Sequence, residues 1–245
     1  MTSGQKMNKI IFAGILVGSI VVGHAANARQ LVVIESSSPS IKSGQILDSA
    51  KPLNLDKDVK LTLIPDDGRV TKLSGPFSGL PDSKSSSAGA SSSGGTRMIA
   101  MLSRLVGPKS MDQSSIGTVR SGVGTPPSDP WMIDVKRRGA HCVKENSVKF
   151  WRPKSRRSSK ISVLLMPSGS KVKVKWPKRT ALLKWPGSVP LTDGAAYKIK
   201  ISGMPTKTIN IHLAPSGLPT PAHGAAWMVG KGCMAQAKAL LKKLK

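Results

Sequence analysis

The residues of this 245-residue chain best suited to redox, metal or nucleophilic chemistry are two cysteines, Cys142 and Cys233, and four histidines. Their spacing narrows the options. There is no C-x-x-C pair, so neither dithiol exchange nor a zinc finger finds its ligand spacing. His141 stands next to Cys142, but neighbours on a strand point to opposite faces, which is poor geometry for moving a proton from thiol to imidazole. Two distant cysteines in an exported chain predict one disulfide, with buried free thiols as the alternative. The bond would close a loop of about 90 residues, a contribution of roughly 4–5 kcal/mol in the loop-entropy account. The histidines, His24, His141, His212 and His223, show no H-E-x-x-H or other paired-ligand spacing. Neither a Walker-type glycine loop nor a G-x-S-x-G elbow occurs. Of the five acids after Arg97, only Asp134, Glu145 and Asp193 fall in the strand-rich region, and no spacing marks a glycosidase pair. No catalytic, cofactor-binding or metal residue is therefore assigned, and neither a small-molecule substrate nor enzymatic activity is expected.

What remains is ionic. The stretch "SVKFWRPKSRRSSK", Ser147 to Lys160, sets two aromatics among six basic residues and no acid. Its candidates for contact with a polyanion are Lys149, Arg152, Lys154, Arg156 and Arg157, with Trp151 as an aromatic contact. In "SKVKVKW", Lys171, Lys173 and Lys175 alternate with Val172 and Val174, so a strand here shows lysines on one face and valines on the other. Lys198 and Lys200 in "YKIKI" repeat the pattern. The plain alternative is a solvated sheet face whose lysines discourage edge pairing. "KWP" occurs twice, around Trp176 and Trp185. Such rings either stack on sugars or bases or plug a core.

Charge follows the same division. The whole chain carries +26. Arg29 to Thr96 is near neutral, with 8 basic and 7 acidic residues, whereas Arg97 to Lys245 has 28 basic and 5 acidic residues, a net +23. A field of that size attracts nucleic acid, anionic headgroups or acidic polymers alike.

The N-terminus helps to choose among these partners. Lys6 and Lys9 precede an uncharged, mostly apolar run, Ile10 to Val22, and Ala26-Asn27-Ala28 follows as an A-x-A site. This is the layout of a secretory signal peptide over residues 1–28, cleaved before Arg29. The run is short of the ~20 residues a spanning helix needs, though an uncleaved inner-membrane anchor is the alternative. Periplasmic or secreted location is thus expected. The partner is then an anionic envelope polymer, a membrane surface or an envelope protein rather than nucleic acid.

The elements that position these residues are short strands. "LVVIES" and "DVKLTLI" read as strands, the second with Val59, Leu61 and Leu63 inward and Lys60 and Thr62 outward. "PDDGRV" supplies a hairpin turn at Asp67-Gly68 before "RVTKLSG" returns. Residues 29–80 are expected to form a small antiparallel β module. Residues 81–130 are a Ser/Gly/Pro-rich linker with a possible short helix at "TRMIAMLSRLVG". From residue 131 to 245, eight short β-like runs predict a basic β-sandwich-like domain: "WMIDVK", "AHCVKE", "SVKFWR", "KISVLLM", "SKVKVKW", "TALLKW", "AAYKIKIS" and "KTINIHL". The tail "KGCMAQAKALLKKLK" has helical spacing at Met234, Ala237, Leu241 and Leu244 and is expected to dock on the sandwich. The fold class is mainly β, with a terminal α-helix.

"LDKDVKLTLIPDDGRVTKLSGP" resembles the core of a FecR-type periplasmic β domain, in which strand, D-G turn and strand lead into a G-P corner. The resemblance spans about residues 44–79. Members of that family relay signals through a membrane helix to a cytoplasmic sigma-factor partner. Nine residues precede the apolar run here, so the resemblance implies the β module and its extracytoplasmic setting. The expected function is an exported, non-enzymatic envelope binding or scaffold protein with a cationic β face. A FecR-like regulatory accessory is the first alternative. A nucleic-acid binder is the second, if the N-terminal run is not an export signal.

Overall fold

The computed structural model describes Met1 and residues 29–81, 93–108, 127–153, 156–167 and 169–245. The expected signal peptide, most of the expected linker and Lys154 lie outside the described residues. The fold is mainly β, as its composition in turn-formers and β-branched residues predicts.

The N-terminal sheet has the order β2-β1-β4-β5 and is antiparallel throughout. Its strands are β1 (Gln30–Ser36), β2 (Ile46–Asp48), β4 (Lys60–Pro65) and β5 (Thr71–Ser74). The pair β3 (Leu53–Leu55) and β6 (Phe77–Gly79) forms a separate ribbon. Period-two alternation sends Val33, Leu61 and Leu63 to one face, where they pack with Leu55 of the ribbon. Val32, Ile34 and Ile64 go to the other face. That second face was expected in water, yet β4 is buried from Leu61 through Pro65 and Thr62 is only 7% exposed. The cover is helical.

Helix α1 (Ser93–Val106) lies on it through Met98, Ile99, Leu102 and Leu105, an i, i+3, i+4 stripe. The helix begins three residues before the expected "TRMIAM" start. Gly95 makes this possible, because a Cβ there would sit 2.7 Å from the Asp66 carbonyl oxygen. Two further helices, α2 (Pro221–Gly230) and α3 (Met234–Lys242), complete the layer. Ala222, Ala225, Ala226 and Met228 of α2 and Ala237, Leu240 and Leu241 of α3 share one core with α1 and the N-terminal sheet. This core draws on chain from both sides of residues 81–130. The C-terminal helix thus packs on α2 and α1 over the N-terminal sheet, where docking on the sandwich was expected. Its apolar stripe finds the larger uncovered face, since the sandwich closes its own core.

The hairpin turn also differs from expectation. The Gly68 amide donates to the Pro65 carbonyl (2.9 Å), so the turn centres on Asp66-Asp67, and β5 starts only at Thr71. Gly68 has φ +78 and abuts the N-terminus of α2, where a Cβ would lie 2.6 Å from His223 Nδ1. The carboxylates of this turn are held by arginines. Arg29 Nη2 lies 2.8 Å from Asp66 Oδ1 and 3.0 Å from Asp67 Oδ2. Burial raises the Asp67 pKa, but hydrogen bonds from Arg69 and Arg29 outweigh it and hold the carboxyl below its ordinary range.

All eight β-like runs after residue 131 contain strands. A five-stranded sheet has the order β11-β10-β13-β14-β8. Its strands are β8 (Gly139–Val143), β10 (Ser159–Met166), β11 (Lys171–Trp176), β13 (Ala196–Ile201) and β14 (Lys207–Leu213). A three-stranded sheet, β12-β9-β7, comprises β7 (Ile133–Asp134), β9 (Lys149–Trp151) and β12 (Leu182–Lys184). Between them lies a core that includes Phe150, Ile161, Val163, Trp176, Tyr197, Ile199 and Ile211. A sandwich needs large rings to fill the gap of ~10 Å between sheets. Here Phe150 meets Trp185 at 5.2 Å and Trp176 at 6.4 Å, and Trp185 meets Tyr197 edge-on at 5.0 Å.

The two cores are joined at β8. Cys142 on β8 and Cys233, at the N-cap of α3, form a buried disulfide with a Cα–Cα distance of 6.0 Å. Beside it, Gln236 acts as a one-residue strand. Its Oε1 accepts from the Cys142 amide (2.8 Å), and its Nε2 donates to the carbonyls of Cys142 (2.7 Å) and Pro130 (2.7 Å). Edge β8 thereby keeps its polar groups satisfied under an apolar helix layer.

Candidate polyanion-binding face

The lysines of β11 lie on the outer face of the five-stranded sheet, because Val172 and Val174 turn toward the sandwich core. Register extends the pattern across three strands. Lys175 faces Lys160 directly, and Lys173 is followed across the sheet by Ser162 and then Lys200. Lys171 is followed by Leu164 and then Lys198. Lys160, Lys171, Lys173, Lys175, Lys198 and Lys200 are all exposed. Strand geometry sets same-face neighbours ~7 Å apart along a strand and β11 and β13 ~9.5 Å apart across β10. These separations are close to the Debye length of ~8 Å at physiological salt and ~10 Å at 0.1 M, so neighbouring charges are only partly screened from one another. Among the described residues no carboxylate lies within ion-pair distance of any of the six.

The basic stretch that precedes this sheet divides between surface and interior. Arg156 and Arg157 are exposed, four and three residues before Lys160. Arg152 is 7% exposed. Its Nη2 donates to the Pro177 carbonyl (2.9 Å), its Nη1 donates to Ser159 Oγ, and its guanidinium lies 4.6 Å over the Trp176 ring. Burial lowers its pKa, and these contacts compensate the buried charge. Arg152 is thus occupied by the protein itself. Trp176 is fully buried, with Nε1 donating to the Thr180 carbonyl at 3.0 Å, so it contributes to the core. Lys149, Trp151 and Trp185 belong to the three-stranded sheet or its end, on the opposite side of the sandwich from the lysines of β11.

The expected site residues therefore do not form one surface. Lys171, Lys173 and Lys175 come together with Lys198 and Lys200, whose alternation was legible, and with Lys160. Lys160 lies outside the stretches whose alternation first points to a lysine face. Its signal was the polar–apolar alternation Lys160, Ile161, Ser162, Val163 of "KISVLLM".

Elsewhere, His141 is 2% exposed at the sandwich edge, with Nδ1 3.1 Å from the Gly139 carbonyl oxygen. Burial lowers its pKa against the opposing pull of nearby Asp134. Among the described residues no group of three His, Cys, Asp or Glu side chains converges to hold a metal ion. No helix among them is long and apolar enough to cross a membrane. No protein-family model matches the chain, and neither a curated protein nor a solved structure does.

Proposed function

We propose that this is an exported, non-enzymatic binding or scaffold protein of the cell envelope, whose outer β face holds an anionic envelope polymer or an acidic partner surface. The observation that carries the reading is the array of six exposed lysines on three adjacent strands, Lys160 directly opposite Lys175. Like charges placed directly opposite each other are unfavourable in a free sheet. An anionic ligand turns that cost into binding energy. The buried Cys142–Cys233 bond supports an oxidising compartment, as does the three-part layout of residues 1–28. The FecR-like stretch at residues 44–79 is in keeping with that setting.

The test is a salt titration of binding to lipopolysaccharide and to double-stranded DNA, with Lys171→Glu/Lys173→Glu/Lys175→Glu as the comparison. The reading expects binding to lipopolysaccharide that weakens steeply with salt and is lost in the triple variant. An intact mass from fractionated native-host cells, without reductant, completes the test. An exported chain lacking residues 1–28 and two protons light supports the reading. A full-length, reduced, cytosolic chain that binds DNA replaces it with the nucleic-acid alternative.

A further inference from the structure

The five-stranded sheet ends at β11, whose only sheet neighbour is β10. Its six residues run in unbroken register with β10, from Lys171 opposite Leu164 to Trp176 opposite Ser159. The strands β2, β3, β5, β6, β7 and β12 are only two to four residues long. The other edge of the same sheet, β8, is capped by Gln236. Folds ordinarily shorten, bulge or cover a long edge, because its free amides and carbonyls invite another strand. Among the described strands β11 is the edge left both long and uncapped.

Two hydrogen bonds fix which residues of β11 present those groups. The Leu165 amide donates to the Ser170 carbonyl at 2.9 Å, and the Ser202 amide donates to the Lys160 carbonyl at 3.1 Å. Bonded and non-bonded positions alternate along an antiparallel pair. Counting from these bonds, Val172, Val174 and Trp176 turn their amides and carbonyls to β10, and Lys171, Lys173 and Lys175 turn theirs to the open edge. The same three lysines carry their ammonium groups on the exposed outer face. Each therefore offers a backbone donor, a backbone acceptor and a positive charge to one incoming strand.

The inner face of the strand adds a second requirement. Val172 and Val174 pack against the sandwich core and stay half-buried, since no strand lies beyond them. A strand added at the edge sets its side chains directly opposite those of β11, on the same faces. Acids at every second position then meet the lysines, and apolar or β-branched residues between them extend the core over the valines. A second copy of β11 would set lysine against lysine, so the charges that deter self-pairing favour an acidic strand. None of the chain's own 12 acidic residues falls in an acid-x-acid-x-acid run, so the segment comes from another protein.

The geometry points to β11 as a docking edge for an extended acidic segment of a partner protein, added antiparallel, with acids opposite Lys171, Lys173 and Lys175 and apolar residues over Val172 and Val174. This inference rests on the reading of the lysine face as one for an acidic partner, and it names that partner as a peptide strand.

The test is an NMR titration of the ¹⁵N-labelled, oxidised full chain with the end-capped peptide GTEVEVETG. The controls are the scrambled peptide GTEEEVVTG, of equal charge, and GTEVEVETG methylated at the backbone nitrogens of its glutamates. Before addition, the Val172 and Val174 amides should be protected from hydrogen exchange and those of Lys171, Lys173 and Lys175 should not. The alternating peptide should shift the three lysine amides and slow their exchange about tenfold or more, with a Kd of about 1 mM or tighter. Lys171→Gln/Lys173→Gln/Lys175→Gln should weaken it about tenfold or more. The inference is overturned if the lysine amides are already protected in the free chain, if the alternating peptide does not bind, or if the scrambled or methylated peptide binds as tightly, since charge alone would then account for binding. Lipopolysaccharide binding without a peptide response overturns strand docking and leaves the envelope reading standing. A reduced, cytosolic chain that takes the alternating peptide and rejects both controls does the reverse.

Discussion

The two ends of the five-stranded sheet use the same outer face in opposite ways. At β8 the face is covered: Cys142 joins the helical core, Gln236 satisfies the edge, and α2 and α3 exclude water. At β11, β10 and β13 the face is bare and lined with lysines. One end is built to be held and the other to be displayed. The difference shows that one sheet can be tied down at one edge while its far strands keep their outer face open to solvent.

If that division of labour holds, changes at the covered end cost stability and spare binding, and changes at the bare end do the reverse. The largest effect should follow Cys142→Ser/Cys233→Ser. It frees a loop defined by a sequence separation of 91 and should lower unfolding free energy by about 4 kcal/mol in urea melts. Polymer binding by the fraction still folded should be unchanged. Arg152→Ala sharpens the comparison from within the basic stretch. It strips Trp176 and Pro177 of a buried partner and should cost about 3 kcal/mol, while altering polyanion affinity less than twofold. Gln236→Ala leaves polar groups of Cys142 and Pro130 without their partner and should cost about 2 kcal/mol, with faster hydrogen exchange at the Cys142 amide.

A smaller effect separates the sandwich edge by pH. The folded-state pKa of His141 lies below 6.5 because burial disfavours the imidazolium, with Asp134 opposing and Arg137 reinforcing. The unfolded chain takes up this proton first as pH falls. Stability is therefore full above about pH 7 and declines from 6.5 toward the lower folded-state value, with a slope that approaches about 1.4 kcal/mol per pH unit. His141→Gln should remove that part of the slope in urea midpoints measured from pH 7.5 to 5. His223, also lowered by burial, retains its own share. The smallest effect on stability, within about 0.5 kcal/mol, should come from Lys171→Glu/Lys173→Glu/Lys175→Glu, the variant in which the proposed polymer binding is expected to be lost. A large loss of stability there would mean that the lysine face is structural, and the comparison would fail.

Local pattern made the strands legible. Each run after residue 131 is set off by turn residues and contains a strand, and period-two alternation is plain in "SKVKVKW" and "AAYKIKIS". The cysteine pair was legible from number and spacing. Helix α2 was not, because "PAHGAAWMVG" is small and apolar on every side and has no stripe. Its start was nevertheless encoded: the Thr220 side chain accepts from the His223 amide at 3.3 Å, and Pro221 follows at the first helical position. The cover over Thr62 and Ile64 was invisible in β4 itself, since nothing in a strand names the distant segment that will pack on it. Arg152 misleads for a related reason. Its type and neighbours read as surface, and only the arrival of Trp176, Pro177 and Ser159 in space makes it interior. The lysine array was legible as alternation along strands, and the opposition of Lys160 to Lys175 required the register.

Val32 and Leu241 share one core across 209 positions of sequence. A ribosome delivers β1, β4 and α1 long before α2 and α3, so the core that Val32, Ile34 and Ile64 share with α1 stays incomplete until those last helices have been made. Closure of so long a loop gives the fold a high contact order, and its rate-limiting search waits on the end of synthesis. A premature stop just before Pro221 would therefore injure the opposite end of the chain, leaving α1 and the N-terminal sheet without the two helices that complete their core.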